Sequence, residues 1–95
     1  NAANDLGATP LWNASLNGSV QMVRSLLNAG GDANAALLSG ESPVMTAART
    51  GNAQVVRLLL AAGANPNATA ARGQTALMWA ASQRHPEAVR ALIES

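Results

Sequence analysis

The stretch "GESPVMTAARTGNAQVVRLLLAAGANP", residues 40–66, decides the fold because this chain writes it three times. Upstream, "GATPLWNASLNGSVQMVRSLLNAGGDA" occupies residues 7–33, and downstream "GQTALMWAASQRHPEAVRALIES" occupies residues 73–95. The offset is 33 residues each time, without insertion or deletion, and Gly7, Gly40 and Gly73 keep it. So do Asn1, Asn34 and Asn67, each followed by Ala, and the sets Ala14/Ala47/Ala80, Val23/Val56/Val89, Arg24/Arg57/Arg90, Leu26/Leu59/Leu92 and Leu27/Leu60/Ile93. A period of this length marks a stacked array, in which a unit buries its apolar face only against its neighbours.

Within a unit the residues spell two helices and a turn. The first helix is predicted near Thr9 to Asn17, Ser42 to Thr50 and Thr75 to Gln83. Thr or Ser at its start can accept a backbone N–H, and Pro10 and Pro43 stand where a first turn needs no donor. Gly18 and Gly51 close it by taking a positive φ. A second helix follows at about Val20 to Asn28, Ala53 to Ala61 and Pro86 to Glu94, with Ser19, Asn52 and His85 as expected caps. Val23, Leu26 and Leu27 form an i, i+3, i+4 stripe that needs cover. Gly30 and Gly63 end this helix, and the Asn, Ala and Gly-rich connectors up to Gly40 and Gly73 are turn chemistry.

Composition limits what such an array can do. The 95 residues allow one domain, and with 22 alanines, two Trp and neither Phe nor Tyr its core must be thin and built from closely approached helices. Six Arg against five acids leave a net charge of +1, and the pI of 9.4 reflects the steep titration of a weakly charged chain. The arginines are scattered, without the density or aromatic interleaving of a nucleic-acid surface. The longest apolar run, Val55 to Ala62, is broken by Arg57 and is too short to cross a bilayer, so no membrane insertion is expected. No cysteine excludes disulfides and thiolate chemistry. One His and five scattered acids offer no metal ligand set, no acid/base pair and no phosphate loop, so neither catalysis nor a cofactor is expected. A start at Asn1 without methionine suggests an excised piece of a longer array, and six Arg without a lysine, with the alanine richness, point to a GC-rich bacterial genome.

The units resemble ankyrin repeats, whose pattern includes a Thr-Pro-Leu-His-x-Ala start, a central Gly-His and a Gly-Ala-Asp close. Here "TPLWNA", "SPVMTA" and "TALMWA" follow that start with the histidine replaced by Trp12, Met45 and Met78. The second landmark reads Gly18-Ser19, Gly51-Asn52 and Arg84-His85, and the third reads "GGDANA" and "GANPNA". The resemblance covers the whole chain and implies an all-α solenoid of stacked helix-turn-helix units with protruding β-turn tips, one domain of repeats 1–33, 34–66 and 67–95. Loss of the family histidine predicts tips that are looser or packed apolarly. Arg84 at a glycine position predicts strain of about 1 kcal/mol if φ stays positive.

The resemblance also implies where a partner protein would touch, because the tips and the concave face of the first helices carry such contacts in the family. By that carry-over Trp79, Leu37, Leu38, Arg49 and Arg72 are the leading contact residues, with Asp5, Glu41 and Gln74 on the tips and Ser82 and Gln83 at a helix end. Trp79 has two readings, filler of the seam between repeats or recognition anchor. Leu37 and Leu38 have two as well, folded back onto adjacent turns or offered to a partner. Arg24, Arg57 and Arg90 read as a solvated ladder whose stems cover apolar surface. The expected function is non-catalytic protein binding by a rigid concave surface. A spacer within a longer repeat protein is the alternative, as is self-association through terminal repeats that carry no special polar cap.

Overall fold

The computed structural model describes residues 9–94. Asp5, with Leu6 and Ala8 of the first tip, lies outside them. Six helices follow one another, α1 (Pro10–Asn17), α2 (Val20–Asn28), α3 (Pro43–Thr50), α4 (Ala53–Ala61), α5 (Ala76–Ser82) and α6 (Pro86–Ile93). No strand is present among the described residues. The helices pair as α1·α2, α3·α4 and α5·α6, and the pairs stack so that α1, α3 and α5 form one layer and α2, α4 and α6 the other.

The first helices start where the sequence predicts. The hydroxyls of Thr9, Ser42 and Thr75 accept the backbone N–H of Trp12, Met45 and Met78 at 3.1, 3.5 and 3.3 Å. The second helices also start at the expected caps Ser19, Asn52 and His85, but only one of the three side chains caps. Asn52 Oδ1 accepts from the Val55 N–H at 3.1 Å, whereas the side chains of Ser19 and His85 make no capping bond. His85 instead reaches back across the seam to the preceding repeat, with Nε2 3.1 Å from the Arg49 carbonyl. A carbonyl only accepts, so this bond requires the proton on Nε2.

Burial peaks in the middle unit. Every residue from Pro43 to Ala48 is buried on α3, which α1 and α5 flank, while α5 buries only Ala76 and Ala80. Among the described residues nine of the seventeen buried apolar ones are alanine, which is why the layers can approach closely. Met45, at the family's histidine position, is wholly enclosed, so this start is packed apolarly. The equivalent Met78 is 55 % exposed. Leu77 is 40 % exposed where its equivalents Leu11 and Val44 are buried, because the last repeat has no neighbour over that face among the described residues.

A left-handed residue closes each first helix, with φ of 69° at Gly18 and 83° at Gly51, directly after α1 and α3, and 60° at Arg84, one residue beyond Gln83 at the end of α5. At two of these corners the missing side chain is also a docking place. A Cβ on Gly18 would fall 2.5 Å from Asn52 Nδ2, and one on Gly51 would fall 2.5 Å from His85 Nδ1. Arg84 carries a side chain in the same conformation, which costs about 1–2 kcal/mol for an L residue.

Two substitutions at one register position are therefore expected to act in opposite directions. Gly51→Ala combines a left-handed φ with a clash against His85 and should destabilise by about 2 kcal/mol or more. Arg84→Gly should stabilise by about 0.5–1 kcal/mol, since it relieves strain while adding some freedom to the unfolded chain. Urea unfolding of the three proteins measures both, and a destabilised Arg84→Gly would show that this backbone is not strained.

Candidate functional site

On the side of the tips the second and third repeats share an open concavity of about 310 Å³, lined by Ser39 and Glu41 from one and by Ala70, Ala71, Arg72, Gln74 and Trp79 from the other. Its two sides are built alike. At each tip a four-residue turn is closed by one bond, from the Gly40 N–H to the Leu37 carbonyl and from the Gly73 N–H to the Ala70 carbonyl, both 2.8 Å. The N–H of Leu37 then bonds the Glu41 carbonyl, and that of Ala70 the Gln74 carbonyl, both at 2.9 Å. One backbone bond joins the tips, Ala71 N–H to Ser39 carbonyl at 3.0 Å. Nearby, Asn34 Nδ2 donates to the Gly63 carbonyl at 3.0 Å while Asn34 Oδ1 accepts from the Asn65 N–H at 2.7 Å. The tips are thus fixed to each other by main chain and by an asparagine bridge.

A polar chain crosses the same seam. Glu41 precedes α3, and its Oε2 accepts from the Thr46 hydroxyl and from Arg49 Nη2 at 3.0 Å. Thr46 and Arg49 lie three residues apart on α3, on one helical face. The Arg49 guanidinium stands 5.7 Å from the centre of the Trp79 ring, within cation–π range. The Glu41 side chain is only 14 % exposed and that of Arg49 38 %, so water competes weakly for the carboxylate. The other repeats cannot build this chain. In sequence the equivalents of Glu41, Thr46 and Arg49 are Ala8, Asn13 and Leu16 in the first and Gln74, Trp79 and Ser82 in the third.

Of the residues singled out from the sequence, Glu41, Arg72, Gln74 and Trp79 line this concavity, and Arg49 holds the ring from outside it. Trp79 is half-buried and packs on the core with one part while lining the concavity with another. Leu37 is half-buried, whereas Leu38 is 80 % exposed. Ser82 and Gln83 are exposed at the end of α5 and do not line the concavity. Sequence reasoning missed Thr46 and the asparagine bridge. The signal for Thr46 was an acid and an arginine on either side of it, a pattern confined to the second repeat.

Elsewhere, a groove of about 360 Å³ runs between α4 and α6, crossed by an Arg57–Glu94 pair at 3.7 Å. Both of those side chains are largely exposed, so the pair contributes little, about 0–1 kcal/mol. Arg24, Arg57 and Arg90 are all exposed, on one helix layer. Among the described residues no group of three His, Cys, Asp or Glu could hold a metal ion, and no helix is long and apolar enough to cross a membrane.

The ring contact has a spectroscopic consequence. With Trp12→Phe leaving Trp79 as the sole reporter, emission should lie between the buried and the fully hydrated limits. Arg49→Ala in that background should shift it to the red and raise acrylamide quenching. An unchanged quenching constant would mean that Arg49 does not shield the ring.

Among curated proteins none matches this chain in sequence. A model of the family described as ankyrin repeats, in three copies, matches residues 11–95, which takes in all six helices and the concavity. The matched span holds three in-phase helix pairs, each turned by a left-handed corner, and the Ser42- and Thr75-capped starts of the second and third. The chain belongs to the ankyrin repeat family.

Proposed function

We propose that this chain is a protein-binding module without chemistry of its own, acting as one domain of repeats 1–33, 34–66 and 67–95 within a longer array. Ankyrin repeats are generally protein–protein interaction modules and are typically non-catalytic. The surface that meets the partner is the ledge of tips and first helices, with Trp79 as anchor and Leu38, Arg72, Glu41 and Gln74 around it. Leu37 and Arg49 act from behind, one seating the tip and the other holding the ring. Ser82 and Gln83 extend the same ledge at its margins, and Asp5, outside the described residues, is a proposed contact by its place in the repeat alone.

The observation that carries this reading is the fixing of Trp79 before any partner arrives. A ring held by Arg49, itself held by a Glu41 carboxylate that Thr46 also bonds, loses little side-chain freedom on contact, and the bonded tips lose little backbone freedom. Binding to such a surface avoids part of the ordering cost that a flexible loop would incur.

A second reading, self-association, is favoured by the outer face of the third repeat. Leu77, Met78 and Ile93 are 40 %, 55 % and 68 % exposed there, beside an apolar depression of about 530 Å³ lined by Ala81, Arg84, His85, Pro86 and Val89. A further unit stacked in the register of the inner seams would meet the Arg84 side chain where those seams offer a bare glycine. A second copy can approach in another orientation and avoid it.

Immobilised chain should retain a partner that is lost with Trp79→Ala, where truncation costs about 2 kcal/mol or more, and kept with Ile93→Ser on the outer face. Loss with Ile93→Ser alone would move the binding surface away from the ledge. For the second reading, light scattering across concentration should show mass rising in the parent and not in Ile93→Ser. A constant monomer mass would remove it.

A further inference from the structure

We propose that the concavity between the second and third tips selects an extended acidic segment of the partner, in which an Asp or Glu pairs with Arg72 and an apolar side chain two residues away lies on Ala70 and Ala71 against Trp79. This rests on the reading of the ledge as a protein-binding surface and names the chemistry that it takes.

The charges that line the concavity decide the sign. Glu41 is its acid, but Oε2 already accepts from Thr46 and Arg49, and the Arg49 charge offsets that of the carboxylate. A cationic partner group would therefore have to compete with a positioned guanidinium. Arg72 is the other charged residue in the lining; it is exposed and forms no ion pair among the described residues. The concavity thus presents one uncompensated positive charge, and a guanidinium binds a carboxylate through two parallel N–H donors.

The apolar half of the segment follows from the shapes on the same wall. Ala70 and Ala71 are small, and Trp79 stands beside them as the single large aromatic surface, already fixed from its other contact by Arg49. The volume of about 310 Å³ lies at the lower limit of ligand sites, enough for one or two side chains and not for a folded element. An extended strand is the form that fits, because successive side chains of such a strand alternate sides and leave every second one free for the walls. The side-chain amide of Gln74 lies in the same lining and offers both a donor and an acceptor to a passing peptide backbone.

The test is selection from a displayed library of random short peptides against the 95-residue chain, followed by affinity measurement of the enriched peptides and of their Asp/Glu to Lys counterparts. Enriched peptides should carry an acid two residues from a Leu, Ile, Met or Phe. Their affinity should fall about fivefold with Arg72→Ala, about 30-fold with Trp79→Ala, and on raising salt. Arg72→Glu should invert the preference toward the lysine counterparts. That variant changes an exposed, unpaired side chain, so its folding, checked by thermal melting, separates loss of recognition from loss of structure. Enrichment without an acidic preference, or acidic peptides indifferent to Arg72→Glu, would overturn the proposal; the ledge reading would survive if those peptides still required Trp79. Peptides that bind Trp79→Ala and Arg72→Glu as well as the parent would overturn both. Absence of any enriched peptide would overturn the acidic-segment proposal alone, since a ledge can also bind a folded surface.

Discussion

The structure depends on a corner. After each first helix the backbone turns through a left-handed residue, and at Gly18 and Gly51 the bare Cα lets the cap residue of the next repeat lie directly against the turn. That approach puts Asn52 Nδ2 3.3 Å from the Gly18 carbonyl and His85 Nε2 3.1 Å from the Arg49 carbonyl, so helix-end carbonyls are satisfied by the following unit. The same contact sets how far apart the helix pairs stand. With the spacing fixed, alanine is the right size for much of the interior, and nine of the buried apolar positions use it.

A thin core of this kind gives a display surface its stiffness unevenly. The second repeat is covered on both sides and is nearly fully buried along α3, so the groups rooted in it are the best held. Arg49 and Thr46 are rooted there, and Glu41 just ahead of it, and through them the order of the core is passed to a half-buried ring on α5. The tips are held independently by their own backbone bonds and by Asn34. The polar chain, the bonded tips and the best-covered helix therefore meet at one seam, between the second and third repeats. The first seam has the corner contact without the carboxylate–guanidinium chain.

Much of this was legible in the residues. The helix limits followed from the Thr or Ser starts, the Pro after them and the Gly corners, because each of these acts through bonds within a few residues. The strain at Arg84 was legible for the same reason: register alone placed a non-glycine at a left-handed corner. Ser19 and His85 hold the expected N-cap positions but make no capping bond, since a side chain near a helix start has a local partner and a distant one, and for His85 the carbonyl of Arg49, thirty-six residues away, prevails. Leu37 and Leu38 looked equivalent and are not, because adjacent residues on a turn point in different directions.

By itself the sequence determined the period, the helix pairs and the family, because repetition and local capping need no knowledge of distant contacts. Only the tertiary structure decided which of the singled-out residues act together. Trp79 and Arg49 are thirty positions apart, and whether the ring fills the seam or faces outward depends on how two helices cross, which no local pattern encodes. The answer is both, a ring half in the seam and half on the concavity, held there by an arginine from the neighbouring repeat.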